Sequence, residues 1–99
     1  MLYAIMGTDR ENSLESRLKV REQHLERVNA LQAEGRLIIA GPHPAIDSND
    51  PGEAGFSGSL IIAEFETLDE ASAWANDDPY ATTDVFESVV VKPFKRVLP

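Results

Sequence analysis

The sequence predicts one small α+β domain with the element order β-α-β-β-α-β. Four short apolar runs, starting at Leu2, Leu37, Leu60 and Phe86, have the length and composition of strands. Between them lie two stretches that open on helix-capping residues, from Asn12 and from Thr67 or Asp69. The chain has 99 residues, which leaves no room for a second core.

Taken in order, Leu2 to Met6 reads as strand one, ended by Gly7. Asn12 starts the first helix, with Glu15 in the capping-box position three residues on. That helix runs to about Glu34 and stops at Gly35. Leu37 to Ala40 forms strand two, closed by Gly41-Pro42. The segment from Pro44 to Ser57, rich in Asp, Asn, Pro and Gly, reads as a loop too long to be mere connection. Leu60 to Phe65 is strand three. Helix two extends through Trp74 and Ala75 and is ended by Pro79. Phe86 to Val97 is strand four, where Lys92-Pro93 marks an edge or a bulge. This order is the split βαβ pattern of ferredoxin-like folds. Right-handed crossovers place both helices on one face of a four-stranded antiparallel sheet.

A sheet covered on one face should alternate apolar and polar residues. Leu37 to Ala40, Leu60 to Ala63 and Val89 to Val91 are apolar on both parities. A second copy covering the open face, as a homodimer, accounts for this. Tolerance of β-branched residues in partly exposed strands is the alternative.

Helix one carries an apolar stripe of Leu14, Leu18, Leu25 and Val28, widened by Val20 and Leu31. Arg17, Arg21 and His24 fall inside that stripe at spacing i, i+4, i+7. Cations in a core are costly unless paired or lining a cavity. Arg17 reads as an edge residue with its head in water, or paired with Glu15 or Asp9. Arg21 sits nearer the centre of the stripe. His24 is either a satisfied core residue or, near a carboxylate, a group that exchanges protons close to neutral pH.

Composition narrows the partners. The net charge of −8 at pH 7 disfavours nucleic acid and anionic membranes. No run is apolar and long enough for a transmembrane helix, and no signal peptide is visible, so the cytoplasm is expected. Without cysteine there is no disulfide scaffold, thiol nucleophile or thiolate metal site. His24, His43 and Asp47 lack a metal-ligand motif, and no phosphate-binding loop or nucleophile elbow is present, so no metal or cofactor is expected.

Several short motifs, in order along nearly the whole chain, resemble the YciI family. They are Arg17-Leu18 with Arg21-Glu22-Gln23-His24-Leu25, then Glu34-Gly35-Arg36-Leu37, Ala40-Gly41-Pro42, Gly58-Ser59, Asp78-Pro79-Tyr80 and Val91-Lys92-Pro93-Phe94. Asp47 to Gly52 is similar to the stand-alone members. Many members have proline where this chain has Glu22. The resemblance implies a dimeric α/β barrel with a histidine–aspartate site in a cleft. By position the histidine is His24 and the aspartate Asp78, with Asp9 as the alternative. One member is a chlorohydroxyquinol dehydrochlorinase, which implies proton abstraction and elimination on small cyclic compounds.

On this reading Asp78 fixes the His24 tautomer, and the far nitrogen acts as general acid or base toward a small-molecule ligand. Arg21 holds an anionic oxygen. Ser59 and Tyr80 donate orienting hydrogen bonds, and the loop with His43 closes over the cleft. Each has a plainer role: Asp78-Pro79 as a helix-stop signal, Ser59 as a strand start, Tyr80 as packing. The alternative for the whole chain is a homodimer that binds a small ligand without chemistry.

Overall fold

The computed structural model describes residues 1–99. It has strands β1 (Leu2–Asp9), β2 (Leu37–Pro44), β3 (Phe56–Glu64) and β4 (Phe86–Phe94). Helix α1 (Leu14–Ala33) follows β1; α2 (Leu68–Asn76) and the short α3 (Pro79–Thr82) lie between β3 and β4. All three strand pairings are antiparallel, in the order β2-β3-β1-β4. This is the ferredoxin-like β-α-β-β-α-β arrangement expected, with a third helix added.

Every strand but β4 is longer than its apolar run. Backbone pairing does not depend on side-chain polarity, so the β1–β3 ladder continues through Gly7↔Ser59 and Thr8↔Gly58. Gly7 is required there: a Cβ would overlap the Phe86 ring that lies against it. Strand β2 continues through Gly41-Pro42 to Pro44, and β4 holds Pro93. Both strands are at sheet edges, where missing N–H donors are tolerated. Strand β4 ends at Phe94 rather than Val97. The loop after β2 shrinks accordingly and contains a 3₁₀ turn at Gly52–Ala54.

The first helix does not start at Asn12. Asn12 takes a left-handed turn conformation (φ 57°), and Ser13 precedes the helix without capping it by its side chain. Its hydroxyl donates to Asp9 instead, at 3.2 Å, so no capping box forms. The buried stripe is also rotated by about one residue. Leu18 is 60% exposed and Arg17 only 4%. Arg17, His24, Val28 and Leu31 face inward, at the i, i+7, i+11, i+14 spacing of one helix face.

Val28 and Leu31 of α1 pack with Ala71 and Ala75 of α2 onto Tyr3, Ile5, Ile61 and Ala63. These four strand residues share one parity, so the helices cover a single face of the sheet. A smaller cluster of Tyr80, Val85 and Phe86 extends this layer at one end. On the opposite parity Met6 pairs with Leu60 and Val90, Ile62 with Ala4 and Ile39, and Leu2 with Phe94. That apolar face carries no helix, and Ile39 is 57% exposed on it. No helix is long and apolar enough to cross a membrane.

Candidate functional site

A cleft of about 250 Å³ opens between the middle of α1, the start of α3 and strands β2 and β3. Leu25, Val28, Pro42 and Ile61 supply its apolar wall, and Arg17, Arg21, His24, Ser59 and Tyr80 its polar groups. Its size lies just under the range of about 300–1,000 Å³ usual for ligand pockets, which restricts it to a small molecule.

The geometry begins at the α2–α3 junction. Helix α2 ends at Asn76, and Asp78 takes an extended conformation (ψ 141°) that its proline neighbour favours. Pro79 then occupies the first turn of α3, a position where a missing N–H costs nothing. Asp78 caps this helix: Oδ2 accepts the backbone N–H of Tyr80 at 3.0 Å. Pro79 thus begins a helix as well as following one. The same Oδ2 lies 2.8 Å from Nδ1 of His24, and Arg27 donates to Oδ1 at 3.0 Å. With an exposure of 3%, Asp78 is buried, and every one of these partners compensates its desolvation.

His24 is held on its face too. The Tyr80 ring stacks on the imidazole at 4.0 Å and 14°. Tyr80 also has the Arg17 guanidinium over its ring, 4.6 Å from the centroid. Phe86, which Gly7 makes room for, meets Tyr80 edge-on at 5.5 Å. Burial pushes the Tyr80 phenol pKa up, against the opposing charges of Arg17 and Arg21; the nearby Asp78 adds to the rise.

Arg17 belongs to a second, separate cluster. It donates to both Asp9 oxygens at 2.9 Å, to the Gly58 carbonyl at 3.1 Å and to the Ser59 hydroxyl at 3.0 Å. Of the two expectations for Arg17, the edge position with its head in water is corrected and the pairing with Asp9 holds: Arg17 is buried because Asp9 neutralises it. Arg21, expected nearer the centre of the stripe, is exposed instead; it lines the cleft and has no ion-paired partner. Asp9, the alternative companion for His24, is occupied by Arg17.

His43 does not overhang the cleft. It is a residue of β2, paired with Gly58, and its ring lies beside that glycine. His24, His43 and Asp47 do not converge, and no three His, Asp or Glu side chains gather as metal ligands would.

The YCII-related domain matches residues 1–95. The chain belongs to the YCII-related family. It is 60% identical over 97 residues to the protein YciI of Escherichia coli O6:H1, covering 98% of this chain and 99% of that one. An uncharacterised protein of Haemophilus influenzae is 57% identical over the same length. The structure is also similar to that of 5-chloro-2-hydroxyhydroquinone dehydrochlorinase (TftG) from Burkholderia phenoliruptrix AC1100, solved in complex with 2,5-dihydroxybenzoquinone. The TM-score is 0.85 at 27% identity, over 98% of this chain and 96% of that one.

Within this YCII-related chain, the fold brings His24, Asp78, Arg21, Ser59 and Tyr80 to one place. The residue that sequence reasoning missed is Arg27. Its signal was present: it stands three positions after His24, on the same side of α1.

Proposed function

We propose that this YCII-related chain is a cofactor-independent enzyme of the lyase (dehydrochlorinase) or isomerase type, acting on a small cyclic or anionic molecule. The observation that carries this reading is a cleft-lining His24 with one ring nitrogen bonded to buried Asp78. Asp78 orients the ring, and Nε2 is left for the ligand. Nε2 takes a proton from substrate, the freed electron pair forms the new double bond, and a leaving group departs with its own pair. Arg21, unpaired in the cleft, holds an anionic oxygen and stabilises developing negative charge. Ser59 and Tyr80 orient the ligand. The likeness to TftG supports a ring-sized substrate; the modest cleft volume supports it independently.

The decisive experiment screens small cyclic acids and hydroxyquinols against the parent protein and His24→Ala. Loss of turnover by about 10²–10⁴, the usual contribution of a general acid or base, with an unchanged fold is expected. Turnover that survives in His24→Ala would sink the proposal.

One observation favours a second reading, a ligand-binding homodimer without chemistry. Asp78 already has structural work as the cap of α3, so the His24–Asp78 contact can exist without proton transfer. Tight binding by the parent with no conversion of any bound compound would select this reading.

Both readings include a homodimer formed through the uncovered sheet face around Met6, Ile39, Leu60, Ile62 and Val90. Sedimentation should show two copies for the parent and one for Ile62→Glu.

A further inference from the structure

We propose that Arg27 is a positioning residue, which lets His24 exchange a proton by supplying Asp78 with a charge partner that never titrates. The inference rests on the acid/base reading of His24.

A buried carboxylate needs a compensating cation or it is strongly disfavoured. With His24 as its only cationic partner, Asp78 would favour the imidazolium over the neutral ring. Such an imidazolium is a structural cation and a poor base. Arg27 removes that demand. Its guanidinium stays charged at every working pH and donates to Asp78 Oδ1 at 3.0 Å, the oxygen His24 does not use. Oδ2 can then receive Nδ1–H from His24 whether the imidazole is neutral or protonated. In the neutral form this leaves the Nε2 lone pair facing the cleft; in the charged form it leaves an Nε2–H.

Arg27 is itself fixed. It donates to the Trp74 carbonyl at 2.9 Å, and its head lies 4.4 Å from the Trp74 ring centroid. One helix face therefore carries both the exchanging group and its permanent counterpart, three residues apart, and both meet Asp78 at the cap of α3. The other charged or titratable groups facing His24 are Arg17 and Arg21 of α1 and Tyr80 of α3. Strands β2, β3 and β4 present only neutral residues there, among them Pro42, Ser59 and Phe86.

The test is imidazole ¹⁵N NMR of His24 in the parent, Arg27→Gln and Arg27→Lys. Gln retains a hydrogen-bond donor near Oδ1 and removes the charge; Lys keeps the charge. In the parent, neutral His24 is expected as the Nδ1–H tautomer. In Arg27→Gln the imidazole should hold its proton about tenfold more tightly, as expected when one nearby cation is lost. Arg27→Lys should stay close to the parent. A purely structural Arg27 would change melting temperature and leave the His24 titration the same in all three proteins, which overturns the proposal. An Nε2–H tautomer in the parent overturns it as well, without need of any variant. Turnover measured on the same samples separates the two ideas. A His24 titration that responds to the charge at residue 27, in a protein that converts nothing, keeps Arg27 as positioning residue and removes only the catalytic reading.

Discussion

Two aspartates with buried side chains anchor this molecule, and they are used differently. Asp9 gives both oxygens to one guanidinium, and side-chain exposures of 5% for Arg17 and 2% for Asp9 close that pair off from water. Asp78 divides its oxygens between a permanent cation, Arg27, and a ring that can gain or lose a proton, His24. The Arg27 side chain is 26% exposed and the His24 side chain 12%, so this cluster touches solvent. A carboxylate filled by a single arginine fixes structure. A carboxylate shared between arginine and histidine can also serve chemistry. Tyr80 joins the two clusters, with Arg17 and His24 both against its ring.

The contrast is broken most severely at Arg17. Arg17→Met leaves Asp9 buried and charged beside only a serine hydroxyl, and strips Ser59 and Gly58 of their donor. Removing one partner of such a pair costs about 3–5 kcal/mol. Urea unfolding followed by fluorescence of Trp74 should show that loss. Asp78→Asn should be milder, about 1–2 kcal/mol, because asparagine caps helices as well as aspartate while the charge-assisted bonds from Arg27 weaken. Its effect on turnover should exceed its effect on stability, since Nδ1 of His24 loses its carboxylate. If Asp78→Asn costs as much stability as Arg17→Met and spares turnover, the two aspartates do the same work and the contrast fails.

The smallest effect concerns the residue between the clusters. The Tyr80 phenol is raised above its ordinary value by burial, then offset in part by Arg17 and Arg21. A group whose folded pKa lies above its unfolded value contributes stability that is fully present below the unfolded value, about 10 for tyrosine. That stability is lost as pH rises through the folded value. The parent should therefore weaken above about pH 10, and Tyr80→Phe should flatten that alkaline decline with little change at neutrality. Unfolding free energies measured along a pH series would show it. An equally steep decline in both proteins would place the responsible group elsewhere.

Much of this was legible in the residues themselves. The element order follows from four apolar runs and the two helix-length segments between them, because periodicity and turn chemistry are local properties. The apolar outer face was legible as well, since strands apolar on both parities cannot be served by helices on one side. Strand lengths were not, because ladder bonds extend through Gly7, Pro42 and Ser59, where side chains carry no strand signal. The position of Asn12 in a left-handed turn was hidden for a related reason: a capping residue and a turn residue look alike in sequence.

By itself, then, the sequence determined a β-α-β-β-α-β domain and put His24 and its arginine neighbours on one helix face. Only the tertiary structure decided which aspartate each cation meets. Asp9 lies eight residues before Arg17 and Asp78 fifty-four after His24, and no spacing rule spans the longer separation. Burial settled the pairing: each carboxylate taken from water had to find its donors among the side chains that the packing of α1 against β3 and the α2–α3 junction brought within reach.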